Sequence, residues 1–368
     1  IPGKVFHIGH DVVDGCYNLR SIEVAADNQH FLSIKGVLFS RKMELLRAPP
    51  AGLIGEFCIP DGTISINEEA FKDCSKLTSV IIPASVRVIG ESAFSNCVGL
   101  RSAIIPQSVY SIGLYAFDSC INLNSIQLPS ALIYLGKSVF NYCFKLVSVD
   151  LPTGLTSIHS DLFYDCRALS DVNIPSTVVE IDIEAFDSCG NLETLKISKD
   201  NASFFTKNGV LFSKGMDLLF VPRDLIKGEY TVPEGTRSIA DYAFKECNML
   251  ASVKIPDCVV SIGSGAFYDC EKLKSAILPR NISTINSKLF KECSNLTSIL
   301  IPPSVTDIGK SAFSVCLKLT SIELPVGMKI INNSLLKYCD NLEFVSIPNT
   351  VTSIASCAFM GCKKLKSV

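Results

Sequence analysis

One spacing constrains this chain above all: the motif Phe-x-x-Cys returns every 23 residues. It stands at Phe71/Cys74, Phe94/Cys97, Phe117/Cys120, Phe140/Cys143, Phe163/Cys166 and Phe186/Cys189. It resumes at Phe244/Cys247, Phe267/Cys270, Phe290/Cys293 and Phe313/Cys316, then closes with Leu336/Cys339 and Phe359/Cys362. Proline keeps the same beat, from Pro60, Pro83 and Pro106 to Pro302, Pro325 and Pro348. A unit this short cannot bury its own apolar edge, so the repeats must stack on one another into a solenoid.

Two interruptions match each other. Cys16 to Cys74 and Cys189 to Cys247 both span 58 residues, and Gly36-Val37-Leu38-Phe39-Ser40 aligns with Gly209-Val210-Leu211-Phe212-Ser213. The expected organisation is a single solenoid over 1–368. It comprises a partial repeat (1–15), a long unit (16–73), five 23-residue repeats (74–188), a second long unit (189–246), five more repeats (247–361) and a partial repeat (362–368). The chain opens Ile1-Pro2-Gly3-Lys4, without Met or a signal-peptide pattern, and reads as a fragment of a longer protein.

One repeat reads Leu77-x-x-Val80-x-Ile82-Pro83-x-x-Val86-x-x-Ile89-Gly90-x-x-Ala93-Phe94-x-x-Cys97. Leu77, Val80 and Ile82 predict a strand with one inward face. Proline ends it, having no N–H to donate to a ladder. Val86 and Ile89 form a second inward stretch, and Ala93 to Cys97 is expected to make one loose helical turn. Stacked strands should lie parallel, ~4.8 Å apart. In the long units, Val37-Leu38-Phe39 and Leu45-Leu46 flank the polar turn Ser40-Arg41-Lys42, which predicts a β-hairpin that projects or extends a sheet. The second copy has the same form around Ser213-Lys214-Gly215. The fold class is therefore a leucine-rich-repeat solenoid, mostly β, with a parallel sheet and two hairpin-bearing long units.

The unit Leu-x-x-Ile-x-Ile-Pro-x-Ser-Val-x-x-Ile-Gly-x-x-Ala-Phe-x-x-Cys closely resembles the BspA-like (treponemal-type) leucine-rich-repeat family. The resemblance covers essentially the whole chain. It implies a surface protein of a mucosal microbe, similar to adhesins that bind extracellular-matrix proteins, fibrinogen or epithelial cells. The partner it implies is a host extracellular-matrix or plasma protein, and the localisation is cell surface or secreted. An intracellular location stays open.

Composition sets outer bounds. The chain is 48% hydrophobic and 19% charged, enough to bury a large core. Its formal net charge is -2 and its basic residues are scattered, which argues against nucleic acid as a partner. No apolar run reaches the ~18–20 residues that span a bilayer, so direct membrane insertion is not expected.

Thirteen of the 16 cysteines, Cys16 included, sit at the repeat position. That slot is inward and apolar, where a free thiol behaves as a small hydrophobe. Serine is expected to be worse there than alanine, because it would bury a hydroxyl. Cys258 falls at a turn slot filled elsewhere by Ser85, Ser108 and Thr177, and is expected to be buried. Cys58 and Cys357 are the candidate exposed thiols.

The search for chemistry returns little. His7 and His10 are close enough to share a metal, but read more simply as polar residues of the first coil. No phosphate loop, nucleophile elbow or zinc motif is present. Asp118, Asp165, Asp187 and Asp269 recur beside the phased cysteines and read as turn residues. The chain has no Trp, so carbohydrate stacking and nucleic-acid platforms lack their usual signature. No enzyme activity, cofactor or metal is expected. Asn201, Asn281, Asn295 and Asn332 head Asn-x-Ser/Thr sequons and are candidate glycosylation sites.

Binding is expected on the outward face of the strands. One outward column is nearly all serine, from Ser79, Ser102 and Ser125 onward. The next holds two apolar pairs, Ile81/Ile104 and Ile277/Leu300. These four, with Phe344 as the one large aromatic in the serine column, are the candidate protein-binding residues. The functional expectation is a non-enzymatic protein-binding module of adhesin type. Two alternatives stand beside it: an intracellular or periplasmic interaction scaffold, and the binding region of a larger enzyme.

Overall fold

The computed structural model describes every residue except His10, so the His7/His10 pair lies outside the described residues. The chain forms two compact units, Ile1–Leu192 with Lys196–Ser203, and Glu193–Leu195 with Phe204–Val368. The division falls inside the second long unit. Each is a mostly-β solenoid of stacked 23-residue coils.

In the N-terminal unit, the strands Gly55–Cys58, Leu77–Ile81, Ser102–Ile104 and Ser125–Gln127 pair in parallel, each with its homologue one coil on. The second inward stretch makes a ladder of its own, through Ser65–Ile66, Val88–Ile89, Ser111–Ile112 and Tyr134–Leu135. The long unit adds a three-stranded antiparallel meander, Phe31–Ile34, Val37–Ser40 and Glu44–Arg47. Its last strand pairs in parallel with Ser65–Ile66, so the predicted hairpin extends the second ladder. The meander's first strand was not foreseen. It turns into the second at Lys35 and Gly36, both at positive φ (52° and 76°), as a two-residue right-twisted hairpin requires. The C-terminal unit repeats the scheme with Phe204–Lys207, Val210–Ser213 and Asp217–Phe220 leading into Ser238–Ile239 and Ser261–Ile262.

The third side of the coil is not the helical turn expected from Ala93-Phe94-x-x-Cys97. The N–H groups of Ala93, Ser95 and Cys97 bond to carbonyls three residues back, whereas those of Ser92, Phe94 and Asn96 bond to Leu114, Ala116 and Asp118 of the next coil. Ser92 and Asn96 hold φ of 51° and 57°, and the same two slots are left-handed at Tyr115/Ser119, Ser138/Tyr142 and Asp161/Asp165. A right-handed turn would keep every amide inside its own coil. Rotating two residues per coil into the left-handed region costs about 1–2 kcal/mol each, and aims alternate amides at the neighbour. Among the described residues only Ile183–Phe186 closes into a short 3-10 helix, capped by Asp182.

The phased residues fill the core. Phe71, Phe94, Phe117, Phe140 and Phe163 are fully buried and stack, with Phe71–Phe94 at 4.8 Å and Phe94–Phe117 at 5.0 Å between ring centroids. Phe244, Phe267, Phe290 and Phe313 do the same in the C-terminal unit. A further ring abuts the first ring of each stack, Phe57 edge-on to Phe71 and Tyr230 tilted against Phe244. Eleven of the sixteen cysteines are buried and all are free. Cys16 departs from its predicted place: it is exposed, in the first coil, and Cys362 is only partly buried.

Glycine at the turn after the second ladder lies tight against the preceding coil. A Cβ on Gly113 would lie 2.6 Å from the backbone nitrogen of Glu91, and one on Gly136 would lie 2.7 Å from the carbonyl carbon of Gly113. Where that slot holds His159, Asn286 or Asn332, the second ladder parts from the preceding coil. At the two asparagines a side-chain amide replaces the lost backbone bond, Asn286 Nδ2 donating to Ile262 O at 2.6 Å and Asn332 Nδ2 to Ile308 O at 2.8 Å. Asp182, following the displaced His159 coil, bonds normally to Ile158 O at 2.9 Å.

Candidate protein-binding face

The outward row of the first parallel ladder runs Cys58, Ile81, Ile104, Gln127, each the register partner of the next. It faces solvent because period-two alternation sends Val80, Ala103 and Ile126 inward. Ile81 and Ile104 are 51% and 66% exposed. Beside them Ser79, Ser102 and Ser125 form the second outward row, also in register, and Ser79 Oγ donates to Glu56 Oε2 at 3.1 Å. Short serines leave the two isoleucines standing above their surroundings. The structure therefore brings Ile81 and Ile104 together as a contiguous apolar pair on a flat, hydrogen-bonded scaffold.

The C-terminal unit treats its candidates differently. Ile277 is exposed and pairs in register with Lys254. Leu300, 83% exposed, does not sit on a strand: residues 296–300 carry no ladder, although Ile308 of the same coil still pairs with Ile285. The expectation of an uninterrupted strand pair Ile277/Leu300 is thus corrected. Phe344 stands on Phe344–Ser346 opposite Ser321, with Lys366 Nζ 5.7 Å from its ring centroid.

Other predicted sites fall as follows. Cys58 and Cys357 are exposed, the latter at a left-handed slot with φ 58°. Cys258 is exposed rather than buried, with its thiol directed to Glu234 Oε2 at 3.5 Å, because the turn slot lies at the coil's outer corner. Asn201 is buried in the folded chain. Its buried amide donates to Pro175 O and Val178 O, both at 2.9 Å, and its oxygen accepts from Ser203 N. Asn28, its counterpart in the first long unit, bridges Pro2 O and Val5 O identically. Asn295 spends its amide on Glu271 O, and Asn332 on the preceding coil, whereas Asn281 is exposed.

Charged clusters serve the stack. Arg47 reaches Asp14 at 2.9 Å and Glu69 at 3.4 Å, and Lys72 reaches the same two carboxylates. Hydrogen bonding from Lys72, reinforced by the charge of Arg47, holds the Asp14 carboxyl below its usual range. Asp11, Asp14 and Glu69 are the one metal-shaped group among the described residues, but Arg47 and Lys72 already occupy two of its carboxylates. Burial pushes Asp118 upward, and it accepts from Asn141 of the next coil at 2.8 Å, a stacking role rather than an acid–base one. No helix is long and apolar enough to cross a membrane among the described residues.

The family model described as BspA type leucine rich repeat region matches in six copies, over residues 53–146, 89–208, 228–343 and 329–368. Among solved structures, the chain is similar to a leucine rich cell surface protein of Faecalibacterium prausnitzii, with 26% identity and a TM-score of 0.67 over 93% of this chain and 95% of that one. A leucine-rich repeat protein of Bacteroides ovatus is 28% identical, with a TM-score of 0.61 over 91% of each chain. A third, from Eubacterium ventriosum, is similar in fold, with a TM-score of 0.71 at 24% identity over 92% of this chain and 95% of that one. No curated protein sequence matches the chain.

Proposed function

The chain belongs to the BspA-type leucine-rich repeat family, and on that premise we propose that it is a non-catalytic protein-binding module of adhesin type, displayed at the cell surface or secreted. The observation that carries this reading is the register pair Ile81/Ile104, exposed and apolar in the middle of a rigid parallel ladder. Two adjacent outward isoleucines offer a partner an apolar anchor whose own ordering is already complete before binding. The surface placement draws on the similar F. prausnitzii protein, which is a cell surface protein. The partner class is a protein, a host extracellular-matrix or plasma protein.

A scaffold inside a reducing compartment is the second reading, favoured by sixteen cysteines without a disulfide. Burial weakens that argument, since eleven of those thiols are out of reach of oxidant and partner alike.

The test is capture of fibrinogen and a panel of extracellular-matrix proteins on the immobilised chain. The comparison is a variant with Ile81, Ile104, Ile277, Leu300 and Phe344 all changed to Ser. Saturable capture that the variant loses, at unchanged melting temperature, supports the reading. Capture retained by the variant but lost on trimming the turns around Lys42 and Lys214 moves the site to the meanders and refutes it.

A further inference from the structure

The coil that carries His159 has stepped away from the one before it, and the step leaves polar backbone unpaired on both lips of the seam. In regular coils Ile133 N–H donates to Tyr110 O and Gly136 N–H to Ile112 O, both at 3.0 Å. One coil on, among the described residues, the N–H groups of Thr156 and His159 find no acceptor and the carbonyls of Ile133 and Leu135 receive no amide. His159 stands here in the slot where a Cβ on Gly113 or Gly136 would lie 2.6–2.7 Å from the preceding backbone. Asp182 and Ala355 keep the inter-coil bond at their slots, so the parting belongs to this coil's histidine rather than to any side chain at that slot.

An open groove of about 550 Å³ lies along this seam, walled by Tyr134, Lys137, Ser157, His159, Glu180 and Asp182, with Leu114, Ile158 and Ile181 also in its lining. Its size falls within the ~300–1,000 Å³ of small-ligand sites. The Tyr134 ring is exposed, 6.3 Å from the His159 imidazole between centroids, and His159 Nε2 lies 3.3 Å from Ser157 Oγ. The Lys137 ammonium is committed to Asp161 at 3.0 Å. The charge facing the groove is therefore that of Glu180 and Asp182.

These groups select among ligand classes. An anion meets two carboxylates. An apolar ligand would cover the two carboxylates and the N–H of His159, at a cost of about 1–3 kcal/mol or more for each polar group. A simple cation satisfies the carboxylates but offers nothing to the N–H of His159. A ring of neutral hydroxyls fits all of them, because each hydroxyl both donates and accepts. Its C–H face packs on the negative face of an aromatic ring such as Tyr134. We propose that the His159 seam is a saccharide subsite, with Tyr134 as the stacking platform and His159, Ser157, Glu180 and Asp182 as its polar contacts. Absence of tryptophan pointed away from carbohydrate; the exposed ring at a polar seam is a tyrosine instead.

The probes are N-acetylglucosamine, galactose, mannose and their short neutral oligomers, titrated into the intact chain by saturation-transfer NMR and calorimetry. At least one should bind saturably. Tyr134→Ala should weaken it ten-fold or more, and Tyr134→Phe, which keeps the ring, should retain it. His159→Gly should abolish binding without lowering the melting temperature, because glycine lets the coils close and restores their hydrogen bonds. Ile81→Ser/Ile104→Ser should leave sugar binding unchanged, which separates this site from the protein-binding face. The proposal is overturned if no neutral sugar binds, if binding survives both Tyr134→Ala and His159→Gly, or if a lysine-rich peptide occupies the groove and sugars do not.

Discussion

The thiol of Cys97 donates to the carbonyl oxygen of Phe71, 3.0 Å away on the preceding coil. The contact recurs as Cys120 to Phe94, Cys143 to Phe117 and Cys166 to Phe140. It returns in the other compact unit as Cys270 to Phe244 and Cys293 to Phe267. Each of these carbonyls already accepts the N–H of the cysteine three residues on, as Phe71 does from Cys74. The thiol takes the second lone pair, so the phased cysteine is a hydrogen-bond donor between coils as well as a small hydrophobe.

This changes the expected order of substitutions at the slot. Serine brings a hydroxyl to a place where an acceptor waits, so its burial is compensated. Cys120→Ala should destabilise by about 1–2 kcal/mol through lost packing and a lost donor, and Cys120→Ser by no more than that. Urea unfolding of the two variants checks the order. Serine the worse by more than about 1 kcal/mol would restore the purely apolar account.

Thiol titration offers a second check. In the native state, reagent should reach Cys16, Cys58, Cys258 and Cys357, with Cys362 reacting slowly, and the eleven buried thiols should appear only on denaturation. Burial pushes Cys74 up to about 12 from an ordinary 9.0. The folded chain thus holds protons that the unfolded chain releases above pH 9. Stability should be full below pH 9 and fall steadily from there towards pH 12, more steeply than for a variant with several buried cysteines changed to Ala. A melting temperature flat from pH 9 to 11 would contradict the burial.

The glycine slot predicts an asymmetry. Gly113→Ala forces a Cβ to 2.6 Å from the Glu91 nitrogen and should cost about 2–4 kcal/mol. Asn286→Gly removes a side chain whose amide stands in for a backbone bond, and should cost less than about 1 kcal/mol as the backbone N–H recovers Ile262 O. Denaturant midpoints measure both. Equal losses would show that coil spacing is not set at this slot.

Sequons give a fourth prediction. Expressed in a glycosylating host, the chain should carry a glycan at Asn281 and none at Asn201, whose amide is buried and doubly bonded. Mass spectrometry of the peptides decides it. Occupancy at Asn201 in folded material would contradict the bridge it makes.

Much of this architecture is visible in the primary structure because stacking multiplies one constraint many times over. Phe94 and Cys97 announce the core by recurrence, and Val80 and Ile82 by their period of two. What was hidden depends on backbone rather than side chains. Nothing in the identities of Ser92 and Asn96 signals left-handed φ, since the slot also admits Tyr, Lys and Glu once an inter-coil bond rewards it. The meander's first strand, Phe31-Leu32-Ser33-Ile34, is too short to stand out beside its neighbours. Of the candidate face, Ile81 and Ile104 could be placed from phase alone. Leu300 could not, because its coil loses the strand at residues 298–300 while keeping the pair Ile285/Ile308, a local break that its own side chain does not announce. The seams coincide with His159, Asn286 and Asn332 in the glycine column, but Asn67, Asp182, Ala240 and Ala355 fill the same slot with the inter-coil bond kept, so identity at this slot alone does not locate them.

The most direct test of the binding account is the affinity of Ile81→Ser/Ile104→Ser, set against the intact chain, for whichever matrix or plasma protein the panel captures. The account predicts an unchanged melting temperature and a loss of about 30-fold or more, the ~2 kcal/mol expected of a central apolar anchor. Unchanged affinity in a folded double variant would contradict it.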